Sequence, residues 1–242
     1  QIDWKLYARS DKFFVREAER DSPLTAWVLL DASASMAQTD AARPGWSRLS
    51  AGKAMAACVF ELACRQGDRF GLIAVNGSGL QVVNAGAGAK HRDACLWGLS
   101  QATAQGVWPS ESVCRPIWER IGANALALMI GDGFDDQALA LAERLAAARR
   151  ELFHIRILTA EERDFPFAGG QRFVDAETGA ELLTDAPASR DQYLQQFALA
   201  SRDLALRMAA SGIRHVETFL DRPLDEPLRQ LFGHSKRRGA EA

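Results

Sequence analysis

A chain of 242 residues, 48% apolar and 25% charged, has the composition of an ordinary globular protein and is long enough for one large α/β domain. Its formal net charge of -2 gives no electrostatic reason to expect nucleic acid or an anionic membrane as partner, and no apolar run approaches the length of a bilayer span. Cys58, Cys64, Cys95 and Cys114 form no C-x-x-C pair and read as buried reduced thiols, which together with the lack of a visible signal peptide points to the cytoplasm.

In chain order, Trp4 to Glu17 mixes aromatic and apolar residues with charges, as a strand or hairpin laid on a sheet edge would. Thr25 to Leu30 is an unbroken apolar run of the length of a strand buried on both faces, the kind found in parallel sheets covered by helices. The segment after Met36 reads as an exposed loop. Ser47 or Ser50 then opens a helix to about Arg65, stopped at Gly67-Asp68. Phe70 to Val75 is a second buried strand and Leu80 to Val83 a short antiparallel one. Helices are expected over 91–104 and 112–121, and a third buried strand over 123–130. A helix over 137–149, a strand over 153–158 and a hairpin over 172–184 follow, turning at Glu177-Thr178-Gly179. From Ser189 a long helix places Tyr193, Phe197, Ala200, Leu204 and Met208 on one stripe, read as core. A last strand from Ile213 to Leu220, a short helix from Leu224 to Phe232 and a basic tail close the chain. Strands alternating with helices imply a doubly wound, mostly parallel α/β sheet with helices on both faces. The expected division is an amino-terminal strand or hairpin segment over 1–24, the α/β domain over 25–235 including the hairpin, and a tail over 236–242.

The chemistry concentrates at two strand ends. The first strand runs into Asp31-Ala32-Ser33-Ala34-Ser35, and the third into Gly131-Asp132-Gly133-Phe134-Asp135-Asp136. In an extended backbone Asp31, Ser33 and Ser35 project to the same side. Three oxygens there suit a small hard cation such as Mg²⁺, which one or two carboxylates and hydroxyls can hold while a position stays open. On the pentapeptide alone a helix N-cap is the favoured reading, and Asp135 and Asp136 read as caps of the next helix. Two apolar strands that each deliver an Asp at one edge of a sheet are harder to assign to capping. Gly86 to Lys90 lacks the G-K-[ST] ending of a phosphate loop, and no G-x-S-x-G elbow supports a serine hydrolase.

The two acidic tips resemble the metal-ion-dependent adhesion site of von Willebrand factor A domains, in which D-x-S-x-S, a distant Thr and a distant Asp surround one divalent cation. Gln1 to Asp11, Phe14 to Glu17, Asp31 to Met36, Arg65 to Arg69 and Val174 to Gly179 further resemble the bacterial family catalogued as domain of unknown function 58. That resemblance runs from the first residue to Asp221-Arg222-Pro223-Leu224. It implies a von Willebrand factor A-like fold, a Mg²⁺ or Mn²⁺ ion at Asp31, Ser33, Ser35 and Asp132, and a G-D-x-x-R element ahead of the opening Gln1-Ile2-Asp3-Trp4, so that an amino-terminal part is expected to be missing. Where the family pattern supplies its Thr, this chain offers Ser110, with Ser112 as second choice and an N-cap as the competing role of Ser110. The function implied is a metal-dependent protein-binding module acting with a MoxR-type AAA+ ATPase in assembly or maturation. Competing readings are a Mg²⁺-dependent phosphatase of the haloacid dehalogenase type, which would need a second acid where Ser33 stands, and a scaffold with a vestigial metal site.

Overall fold

The computed structural model describes residues 24–233, so the expectations for Trp4 to Glu17 and for the basic tail lie outside the described residues. The main sheet has six strands: β1 (Thr25–Asp31), β4 (Arg69–Asn76), β5 (Gly79–Gly86), β6 (Leu126–Gly131), β7 (Glu151–Leu158) and β10 (Arg214–Phe219). Their order is β10-β7-β6-β1-β4-β5, and only β5 runs antiparallel to its neighbour. Helices α1 (Arg48–Gln66), α2 (Ala89–Gln101), α3 (Glu111–Arg120), α4 (Asp136–Ala147), α6 (Ala186–Ala210) and α7 (Glu226–Phe232) cover it, and α5 (Ala160–Asp164) is a single turn after β7. None of the described helices is long and apolar enough to cross a membrane.

β1 shows why the sheet needs two layers of helices. Its alternate side chains part company: Ala26, Val28 and Leu30 join the cluster formed with α1 and α2, whereas Trp27 and Leu29 join the cluster formed with α3 and α4. Every residue of β1 after Thr25 is buried. Each fully buried Leu or Ile contributes about 1.5–3 kcal/mol relative to an exposed one, so the central strands anchor the fold. α1 begins where the Ser47 hydroxyl accepts the Ser50 amide at 3.1 Å and ends at Gly67 in the left-handed region.

Four expectations need correction. The segment after Met36 is not an open loop: β2 (Thr39–Asp40) and β3 (Arg43–Ser47) pair as a small hairpin, with Trp46 packed on the core. Its pattern was hidden because Pro44 and Gly45 sit inside a strand. α5 was also missed, although a capping box of Thr159 and Glu162 starts it. The stripe on α6 is core only in its second half, Leu204 and Met208. Tyr193 and Phe197 are half-buried and stack at 6.0 Å, and Ala200 is exposed. Cys58 is exposed and Cys64 half-buried rather than buried, whereas Cys95 and Cys114 are buried as expected.

A second small sheet, β8 (Gly170–Val174) and β9 (Glu181–Asp185), is the expected hairpin. Its base is anchored by rings: Phe173 lies 5.8 Å from Phe165 and 5.2 Å from Phe167, and Phe165 lies 4.4 Å from Tyr193 of α6.

Candidate metal centre

The sheet grows from β1 through β4 to β5 on one side and from β6 through β7 to β10 on the other, so β1 and β6 flank the point where strand order reverses. Open α/β sheets bind ligands beyond the carboxyl ends of such a pair. Asp31 is the last residue of β1 and Asp132 follows the last residue of β6, with Leu30 in register with Ile130. Gly131 permits the close approach: a Cβ there would stand 2.8 Å from the Asp31 Cβ and 3.1 Å from its Oδ2.

The loop after Asp31 is not extended, as the sequence suggested, but folds into a 3-10 turn over Ala34–Ala37. The two serines still meet, their hydroxyls 3.1 Å apart. Ser33 stands at the N-cap position of this turn without making a capping bond from its side chain. The backbone is pinned from outside: Ala34 N–H donates to the Gly106 carbonyl at 2.7 Å and Gln105 N–H to the Ala32 carbonyl at 3.0 Å. Hydroxyls spared from capping and held on a fixed loop are free to serve as donors to a ligand.

The two aspartates differ in their partners. Asp31 is 3% exposed, accepts the Ser33 amide on Oδ1 at 2.8 Å, and pairs with no basic side chain among the described residues. Burial, and then the negative charge of Asp132, push its carboxyl up to about 7, against the pull of its hydrogen bonds with Ser33. Asp132 accepts the Phe134 amide on Oδ1 at 3.2 Å and the Arg48 guanidinium on Oδ2 at 3.1 Å. Arg48 is itself buried, donates to the Ser35 carbonyl at 3.2 Å, and forms an ion pair with Glu162. Arg156 donates its Nε to the Asp132 carbonyl at 2.9 Å.

Asp31, Ser33, Ser35 and Asp132 are thus brought to one rim. Ser110 is exposed at the start of α3, where its hydroxyl pairs with that of Ser112 at 3.0 Å, and among the described residues no hydrogen bond joins its side chain to the other four. Among the described residues, no three His, Cys, Asp or Glu side chains form a metal-holding group. The donor set is therefore two carboxylates and hydroxyl oxygens, and it suits a hard divalent cation: a buried carboxylate beside a second one, with a base on only one of them, lacks one positive neighbour.

Sequence reasoning missed three charged residues around this rim. Arg48 carries a faint signal, a base in the first turn of a helix, where the dipole disfavours it. Glu162 and Glu177 carry none beyond their turns, and only the fold brings them near.

A doubly wound sheet with one antiparallel edge strand and D-x-S-x-S at the switch point defines a von Willebrand factor A-like domain. The chain belongs to the family described as "Protein of unknown function DUF58", whose model matches residues 1–203. It is 29% identical over 253 residues to the uncharacterized protein Rv1480 of Mycobacterium tuberculosis (strain H37Rv), covering 100% of this chain and 76% of that one. The uncharacterized protein Mb1516 of Mycobacterium bovis matches with the same figures. Among solved structures, the conserved hypothetical protein BatB from Bacteroides thetaiotaomicron superposes with a TM-score of 0.52 at 13% identity, over 86% of this chain and 95% of that one. The SpRpn10 VWA domain gives a TM-score of 0.49 at 13% identity with the same coverage.

Proposed function

We propose that this protein is a metal-dependent protein-interaction module. Mg²⁺ or Mn²⁺ is held by Asp31, Ser33, Ser35 and Asp132, with Ser110 the candidate for a further hydroxyl, and an acidic side chain of a partner protein fills the remaining position. The observation that carries this reading is the buried pair Asp31 and Asp132, of which, among the described residues, only Asp132 has a base. A partner carboxylate buried at an interface is costly unless a positive charge meets it, and a divalent ion supplies that charge. Phe134, exposed on the rim with Arg48 and Arg156 on its ring, offers the partner an apolar contact beside the ion. A MoxR-type AAA+ ATPase or its client as the partner rests on the family resemblance alone. Catalysis of the haloacid dehalogenase type is disfavoured because Ser33 cannot take over the proton transfer of the missing acid near neutral pH.

Isothermal titration with Mg²⁺ and Mn²⁺ tests the reading on the wild type, Asp31→Ala and Asp132→Ala. Binding by the wild type and its loss in both variants is expected; equal binding by all three rules out these ligands. The competing reading is a scaffold with a vestigial site, favoured by the Arg48 guanidinium on Asp132 and by the distance in bonding between Ser110 and the other donors. It forecasts no cation binding by the wild type at millimolar concentration.

A further inference from the structure

A second concave surface is built from other residues, between the β8–β9 hairpin, α5 and the first half of α6, with a volume of about 560 Å³. Phe165, Phe167, Phe173 and Tyr193 line it. Phe165 lies 4.4 Å from Tyr193, and Phe173 meets Phe167 edge-on at 5.2 Å, so the rings hold one another in place. Phe165 is buried, whereas Phe167, Phe173 and Tyr193 are half-buried and keep accessible surface.

The charge at this cavity has one sign. Among the described residues two glutamates line it and no Lys, Arg or His does. Glu162 is met by Arg48. Glu161 is half-buried, accepts the Ala41 amide on Oε1 at 3.4 Å, and has no ion pair among the described residues. Aromatic faces carry negative potential and attract cations within about 6 Å of the ring centroid. Elsewhere in the chain arginines take such places, Arg43 on Trp46, Arg150 on Trp118 and Arg163 on Phe219. Among the described residues, none stands over the four rings of the cavity.

We propose that this cavity receives an arginine side chain of a partner protein, its guanidinium lying on the rings and donating to Glu161. Arginine suits the site better than lysine, because its plane stacks on aromatic faces and its paired N–H groups match a carboxylate. Val174 and Leu182, exposed on the hairpin and lining the same cavity, offer contact to an apolar neighbour of that arginine. Gln38 and Glu161 also line the adjoining cavity at Ala34 and Ala37 of the serine loop, so a segment bound here lies beside the rim. The site uses none of the proposed cation ligands and does not depend on the ion.

The test titrates the full chain, in chelator, with the blocked peptide acetyl-Gly-Leu-Arg-Gly-amide and with the same peptide carrying citrulline, which keeps the shape of arginine and loses its charge. Aromatic and amide NMR shifts read where each peptide binds and how tightly. The arginine peptide should give saturable shifts at Phe167, Phe173 and Tyr193, and the citrulline peptide should bind about fivefold more weakly or worse. Glu161→Gln keeps the size of the side chain, and its amide spectrum checks the fold. It should weaken the arginine peptide about threefold or more and leave the citrulline peptide unchanged. Phe173→Leu, which keeps an apolar side chain and removes the ring, should also weaken the arginine peptide. Equal affinity of the wild type for the two peptides assigns the cavity to apolar ligands and overturns the proposal. Unchanged arginine-peptide affinity in Glu161→Gln, or no saturable shifts at the three rings, overturns it as well.

Discussion

Arg48 and Asp132 face each other at 3.1 Å with both side chains 2% exposed, a buried ion pair at the mouth of the site. The same guanidinium reaches Glu162, so one cation serves two acids on different elements. Removing it leaves two carboxylates unpaired, one of them buried. Arg48→Ala is therefore expected to destabilise the protein by about 3–5 kcal/mol, the usual result of orphaning a buried charge. Urea unfolding of wild type and variant measures this, and a difference within about 0.5 kcal/mol would show that the pair carries no stability.

Asp31 sets a pH dependence of definite sign. With its carboxyl raised to about 7 in the fold and near 3.8 when unfolded, the folded state binds the extra proton between those values. Stability from this group is full below about pH 4 and is lost as pH rises through about 7, by up to about 4 kcal/mol. In chelator, Asp31→Asn should remove that loss. Cation binding requires the carboxylate, so Mg²⁺ affinity should strengthen as pH rises across the same interval. Urea midpoints against pH, with chelator and with Mg²⁺, check both.

His154 on β7 and His215 on β10 have the opposite sign. Their Nδ1 atoms are 3.1 Å apart. Burial, followed by the charges of His215 and Arg156, pushes His154 down to about 3; burial and then Arg156 push His215 down to about 4. The unfolded chain takes up these protons near pH 6.5. Stability from the pair is thus present above pH 6.5 and drains away as pH falls toward 4. Imidazole proton shifts followed from pH 8 to 5.5 should show both rings neutral throughout, and titration of either near 6.5 would contradict the assignment.

Gly131→Ala places a methyl group 2.8 Å from the Asp31 Cβ. The variant should lose about 1–3 kcal/mol by overpacking. It should also bind Mn²⁺ more weakly, because the carboxylate must shift. Unfolding and titration on one preparation separate the two effects, and unchanged Mn²⁺ affinity would place the cation away from Asp31.

Much of the architecture was legible because buried parallel strands announce themselves as apolar runs: Thr25 to Leu30, Phe70 to Val75 and Ala125 to Ile130 needed no partner to be recognised. The two aspartates were legible for the same reason, each being the first charge after such a run. The rest depended on contacts distant in sequence. Arg48 reaches Asp132 across 84 positions and Glu162 across 114, and no local periodicity encodes that. The role of Ser33 was obscured by its residue type, since a serine after a strand reads as a cap until its hydroxyl is seen to face another serine. Ser110 stood out only because the resemblance required a hydroxyl in that region, and in the fold its bonding partner is Ser112.

β1 lies at the middle of the six-stranded sheet, hydrogen-bonded on both sides, and the serine loop hangs from its end. Central strands open only when the whole molecule unfolds, whereas a two-stranded hairpin opens at far lower cost. The serine loop should consequently persist almost to the melting temperature, while the two-stranded β8–β9 sheet opens under native conditions.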